Sequence, residues 1–137
     1  MNCLVVCEES QRITIQLRHL GHNAFSCDIQ DCSGGFPEWH IKGDFLPLLN
    51  GFCSFYTSDQ LGHCIGSKWD LIIAHPPCTY LSFAGNKYFN IEKYGQKAFE
   101  RIQLRKQAFD FAMKIWNCDC DHLVMENPTG YINTAFL

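Results

Sequence analysis

At 137 residues the chain is long enough for one domain with a buried core, and its 47% hydrophobic content excludes a disordered chain. A net charge of −3, from 11 basic and 14 acidic residues, is not that of a stand-alone nucleic-acid binder, although it leaves room for a local basic patch. No apolar run reaches membrane-spanning length, and Met1-Asn2-Cys3-Leu4 lacks the basic region and apolar core of a secretion signal. The expectation is a cytoplasmic protein with no membrane partner.

In chain order, Cys3 to Cys7 is apolar and β-branched and predicts a first strand. Glu8-Glu9-Ser10 breaks it, and Ser10 is the expected N-cap of a helix running from Gln11 to Leu20. That helix has Ile13, Leu17 and Leu20 on one face and Gly21 as its stop. Asn23 to Asp28 predicts a second strand, giving a β-α-β unit with a parallel pair. After a loop with Gly34-Gly35 and Pro37, His40 to Lys42 predicts a short third strand. Asp44 is placed to cap a short helix over Phe45 to Leu49. Phe52 to Thr57 and His63 to Gly66 predict an inserted hairpin.

Leu71 to Ala74 reads as a buried strand. Proline donates nothing to a sheet ladder, so the strand must end before Pro76-Pro77, and a stiff turn then presents Cys78. Tyr80 to Tyr94 is expected to be a loop, and Gln96 to Trp116 is the longest helical pattern. Phe99, Ile102, Phe109, Ala112, Met113 and Trp116 are expected on its buried side. Lys97, Arg101 and Arg105 recur every four residues with Lys106 beside them, either as a solvated face or as a phosphate-contacting stripe. Asp121 to Met125 predicts a last strand that ends at Glu126-Asn127-Pro128.

The expected architecture is one α/β domain over 1–137, a Rossmann-like open parallel sheet with a small β-hairpin insert. Its candidate chemistry lies where the loops after Cys7, Asp28, Ala74 and Met125 share the carboxyl edge, the usual ligand edge of such sheets. A thiol on Cys78 and a carboxylate on Glu126 then follow neighbouring strands, a pairing suited to nucleophilic addition with acid assistance. Asp28, ending the second strand, is either a turn acid or a ribose-binding acid. The nine cysteines include no CxxC pair. Reduced thiols packed as small hydrophobes are expected, with no disulfide framework. Cys118, Cys120, Cys53, His63 and Cys64 lack the usual zinc-ligand spacing, so no metal is expected.

Pro76-Pro77-Cys78 followed by Thr79-Tyr80-Leu81-Ser82 resembles the catalytic Pro-Cys motif of DNA cytosine 5-methyltransferases. Glu126-Asn127-Pro128 resembles their Glu-Asn-Val motif, Gly43-Asp44 resembles the Gly-Asp beside the cofactor adenine, and Asp28 stands where their ribose-binding acid stands. Cys7-Glu8-Glu9-Ser10-Gln11, Ser33-Gly34-Gly35, Pro37-Glu38-Trp39-His40 and Trp69 to Cys78 extend the likeness. Together they resemble a group of phage and prophage proteins labelled DNA methyltransferase-like. The resemblance implies S-adenosylmethionine as cofactor and cytosine 5-methyl transfer as the nominal activity. In that scheme Cys78 adds to carbon 6 of cytosine while Glu126, with Asn127, binds the ring. A base in a duplex would have to be flipped out, and Tyr80, Phe83 or Trp39 could stack on it.

The expected cofactor contacts are Cys7, Glu8, Glu9, Ser10, Asp28, Ile29, Gly43, Asp44, His75 and Pro76. The expected substrate contacts are Pro77, Thr79, Tyr80, Arg101 and Arg105. Glu8-Glu9-Ser10 replaces the family's glycine-rich turn, and Thr79 replaces its usual glutamine. The family's later strands and target-recognition region have no counterpart in these residues. Two further readings follow: a nucleotide- or signal-sequestering phage counter-defence protein, and a split-enzyme subunit completed by a second copy or another subunit. The expected ligand is accordingly DNA or a nucleotide.

Overall fold

In a computed structural model of the chain, residues 1–128 and 130–135 are described, apart from the side chains of Phe83, Ala84 and Ala135. The described part forms two compact units. The first comprises Met1–His75 and Ile115–Met125, the second Pro76–Lys114 and Glu126–Leu137.

The first unit is built on a five-stranded, all-parallel sheet. Its strands are β1 (Asn2–Val6), β2 (Asn23–Asp28), β3 (His40–Lys42), β6 (Leu71–Ala74) and β7 (His122–Met125), in the order β3-β2-β1-β6-β7. Cys3, Leu4, Val5 and Val6 are all fully buried, as a strand covered on both faces requires. The antiparallel hairpin β4 (Cys53–Tyr56) and β5 (Gly62–Ile65) forms its own small sheet, in the place the turn residues predict. Phe55 from this hairpin meets Phe25 edge to face at 5.0 Å, and Trp69 donates its indole N–H to the Leu48 carbonyl at 2.6 Å. A rigid aromatic core thus lies under the sheet strands.

Helix α1 (Arg12–His19) departs from expectation at its start. Its N-cap is Gln11, which is left-handed (φ 59°), and Ser10 does not cap it. Instead the Glu8 carboxylate accepts from Ile13 N (2.6 Å), Thr14 N (3.2 Å) and the Thr14 hydroxyl (2.7 Å). A charged acceptor on the exposed N–H groups of a helix start is a stronger partner than a serine hydroxyl. Thr14, rather than the predicted apolar stripe, is the buried residue of α1, and Leu20 is 73% exposed. The short helix predicted over Phe45 to Leu49 is a 3₁₀ turn, Leu46–Leu48, with Asp44 Oδ1 accepting from Leu46 N at 3.0 Å.

The second unit carries more helix than expected. The predicted loop from Tyr80 to Tyr94 contains a 3₁₀ segment, Phe83–Phe89, and a short helix α2 (Ile91–Tyr94). Asn90 Oδ1 accepts from Lys93 N and starts α2, and Gly95 (φ 58°) ends it. Helix α3 (Gln96–Trp116) has its predicted bounds, and its predicted face holds at Ala112, which is buried, and at half-buried Ile102, Phe109 and Met113, but not at its ends. Phe99 and Trp116 are about half exposed (49% and 46%), while the buried positions are Ala98, Ala112 and Ile115. Helix α4 (Tyr131–Ala135) follows a bridge between Ser82 and Gly130. No helix among the described residues is long and apolar enough to cross a membrane.

Candidate active site

The parallel strands end at one edge, as their order requires, and the sheet changes its direction of winding between β1 and β6. Such a reversal opens a crevice at the carboxyl ends. A cavity of about 310 Å³ lies here, lined by Cys7, Glu8, Glu9, Ser10, Arg12, Ile13 and His75. It belongs entirely to the first unit. Its wall is set by a tight loop pairing. Cys7 (φ 62°) and Gln11 both adopt left-handed backbone, curling 8–10 back over α1. The buried Gln11 side chain donates to Phe36 O (2.8 Å) and Ser26 Oγ (3.2 Å) and accepts from Phe36 N (3.1 Å). Ser33 N donates to Glu9 O at 2.8 Å, and the Ser33 hydroxyl bonds the Glu9 carboxylate. A Cβ on Gly34 would lie 2.6 Å from Ser10 O, so only glycine permits this approach.

Electrostatics distinguish this cavity from a phosphate site. The N–H groups at the start of α1 would ordinarily attract an anion, but Glu8 already occupies them. Glu9 adds a second carboxylate and Arg12 a cation. Burial, reinforced by Asp28, pushes the Cys7 thiol up to about 12, so it stays protonated and uncharged. Cys27 is likewise pushed up to about 12, chiefly by burial.

Of the remaining cofactor candidates, Asp28, Ile29, Gly43 and Asp44 lie at the ends of β2 and β3, whereas Pro76 belongs to the second unit. Asp28 is partly buried; its Oδ1 accepts from Gln30 N at 2.9 Å, and its carbonyl accepts from Gly43 N at 2.9 Å. Its Oδ2 makes no hydrogen bond among the described residues. Ile29, next in sequence, is 76% exposed despite its apolar side chain, and Asp44 is exposed. Trp39, a candidate stacking residue, is already stacked on Phe36 at 4.2 Å.

The second unit holds the thiol. The Cys78 carbonyl accepts from Leu81 N and Ser82 N, both at 3.0 Å, closing a tight turn after buried Pro76 and exposed Pro77. Cys78 itself is partly buried. Asn127 Nδ2 donates to Pro76 O at 3.1 Å and ties the segment containing Glu126 to the turn containing Cys78. Glu126 is exposed. The Asn127 Oδ1 is buried and has no partner among the described residues. Glu126 and Cys78 thus belong to the same compact unit, on segments joined by a hydrogen bond.

Arg101 and Arg105 are neither a plain solvated face nor an open stripe. Arg101 donates to Thr79 O at 3.1 Å and lies over the rings of Tyr80 (4.9 Å), Tyr88 (5.2 Å) and Phe89 (5.2 Å). Arg105 sits over Phe89 (4.3 Å) and Tyr131 (4.5 Å). The side chain of Phe83 lies outside those described. Sequence reasoning missed the Gln11 clamp and the helix-capping use of Glu8. The signal available for both was a run of polar residues at the strand-to-helix turn.

All nine cysteines are free, and no cluster of three or more metal-ligating side chains occurs among the described residues. No family model, curated protein or solved structure matches the chain.

Proposed function

We propose that the chain is an S-adenosylmethionine-dependent methyltransferase-like protein, nominally a cytosine 5-methyltransferase with Cys78 as nucleophile. The observation that carries this reading is the Asn127-to-Pro76 hydrogen bond, which joins the carboxylate-bearing and thiol-bearing turns. The strand order β3-β2-β1-β6-β7, with its reversal between β1 and β6, supports the reading of a Rossmann-like sheet with a nucleoside-binding crevice at that reversal.

The residues there fit this cofactor better than a phosphate-rich nucleotide. An acidic turn with a capped helix start repels phosphate, whereas Glu9 and Arg12 complement the two charges of an amino-acid zwitterion. Asp28 retains one carboxylate oxygen for ribose hydroxyls, and Ile29 offers an exposed apolar surface to a base. S-adenosylmethionine, held by these residues, would be the source of the methyl group.

The chain's own residues supply the rest. The Cys78 sulfur gives its thiol proton to solvent and bonds carbon 6 of cytosine, while Glu126, in its acid form, donates a proton to the ring nitrogen and so draws electron density from that carbon. The unpartnered Asn127 Oδ1 is an acceptor of the kind an exocyclic amino group satisfies. After transfer, loss of the carbon 5 proton to solvent, return of the ring-nitrogen proton to Glu126 and departure of the Cys78 sulfur would restore the aromatic ring.

Calorimetry with S-adenosylmethionine, S-adenosylhomocysteine and a panel of nucleotides tests the cofactor. Binding of the two sulfur compounds, weakened by Glu9→Gln, supports the proposal. Binding of a nucleoside triphosphate or a cyclic dinucleotide alone would replace it with the sequestering reading.

A further inference from the structure

The charge of −3 conceals a division. The first unit carries four Lys/Arg against ten Asp/Glu, a net of −6. The second carries seven Lys/Arg against four Asp/Glu, a net of +3. Its cations alternate with aromatic rings in both sequence and space. Lys87 lies 4.9 Å from the Tyr88 ring centre, Lys93 lies 5.4 Å from that of Tyr94, and Arg101 lies over Tyr80 and Tyr88. Around them is a cavity of about 400 Å³, lined in part by Tyr80, Tyr88, Tyr94, Lys97, Glu100 and Arg101.

None of Lys87, Lys93, Lys97 and Arg101 is ion-paired among the described residues; the two ion pairs found there, Lys42 with Asp31 and Lys68 with Asp119, are both in the first unit. The Arg101 Nε is buried and has no hydrogen-bond acceptor among the described residues. Such a nitrogen is a donor without a partner, an arrangement native interiors avoid. Gly85 keeps the place open, because a Cβ there would lie 2.7 Å from Arg101 Nη2.

We infer that this face of the second unit binds single-stranded nucleic acid, with phosphates on Lys87, Lys93, Lys97 and Arg101 and an unpaired base stacked among Tyr80, Tyr88 and Tyr94. Half-exposed rings interleaved with cations form a stacking platform along a charged track. In a duplex the bases are stacked on one another and present only their edges, so these rings would have nothing to stack on. The surface therefore selects the form in which a target base needs no flipping. For the chemistry at Cys78 the inference rests on the methyltransferase reading, but strand binding does not require it.

The test uses fluorescence anisotropy of the whole protein, without cofactor, on labelled 12-nucleotide single-stranded DNA, the matching RNA and the matching 12-base-pair duplex, across 50–200 mM salt. The expected result is at least tenfold tighter binding of a single strand than of the duplex. Four phosphate contacts predict a log–log salt slope of about −3, at about 0.7 per contact, and Lys97→Ala should reduce it by about 0.7. Loss of one stacking ring in Tyr88→Ala, a residue 42% exposed and so replaceable without unfolding, should weaken binding by about tenfold. The tighter of the DNA and RNA arms names the cargo. Equal affinity for duplex, a salt slope near zero, or binding indifferent to Tyr88→Ala would overturn the inference. Cofactor binding in the separate calorimetry is unaffected by that failure, so the two proposals fall independently.

Discussion

The two units use arginine and glutamate in opposite ways. In the sheet unit a carboxylate is the organising group: Glu8 is 5% exposed and holds the start of α1, while the cavity beside it is acidic. In the second unit a guanidinium is the organising group: Arg101 fastens Thr79 O and gathers three aromatic rings. One region thus carries an excess of negative charge and the other an excess of positive charge. A mean charge taken over the whole chain describes neither.

The largest expected effect separates the two regions by stability. A Cβ on Gly130 would lie 1.8 Å from Leu81 O, where the Ser82 bridge and the bond from Tyr131 N to Leu81 O close the second unit. Gly130→Ala should destabilise that unit by about 3 kcal/mol, since backbone rather than a movable side chain blocks the methyl group. Hydrogen exchange should show faster exchange in α3 while β1 and β6 keep their protection. Equal loss in both units would break the comparison and make them one cooperative body.

A smaller effect is expected at the acidic pole. Glu8→Gln leaves the Thr14 N–H and hydroxyl facing an amide that can accept only through one oxygen, and urea melts should show a loss of about 2 kcal/mol. The same variant restores attraction for anions at the start of α1, so sulfate should stabilise it more than it stabilises the parent chain. A parent chain stabilised equally by sulfate would contradict the account of the acidic turn.

The mildest test is alkaline titration. Cys7 and Cys27 are pushed up to about 12 in the folded chain, mainly by burial, and return to ordinary thiol values near 9 on unfolding. The unfolded chain therefore releases these protons first. Their contribution to stability is complete below about pH 9 and is lost as the pH rises towards 12. Thermal melts should be flat in this respect from pH 7 to 8.5 and fall above it. The double variant Cys7→Ala/Cys27→Ala should fall less steeply.

Much of this fold could be read before any coordinates. The apolar runs of β1, β2, β6 and β7 are bounded by prolines, glycines and acids, and these mark the strands of the parallel sheet, though not their register. The turn residues around Asp59 and Gly62 disclosed the hairpin. Ser10 was misleading because left-handed Gln11 redirects the chain and brings in Glu8, a tertiary geometry with no local marker. Ala112 was legible as a buried position of α3, but Phe99 and Trp116 were misplaced because their neighbours Ala98 and Ile115 are the buried residues there, and pattern counting favours large aromatic side chains. The Asn127 bond to Pro76 O joins positions 51 apart in sequence, so spacing alone could not yield it. The cation–ring contacts of Arg101 gather Tyr80, before a 3₁₀ segment that reads as loop, and Tyr88, within it.

The proposed chemistry meets its most direct test in a covalent trap. A short single-stranded oligonucleotide bearing 5-fluorocytosine, incubated with the protein and S-adenosylmethionine, should give an adduct visible by intact mass and mapped to Cys78, because fluorine cannot leave carbon 5 as a proton does. Cys78→Ser should abolish it, and Glu126→Gln should slow it. Absence of any adduct from a protein that demonstrably binds both the strand and the cofactor, or an adduct that survives Cys78→Ser, would contradict the account.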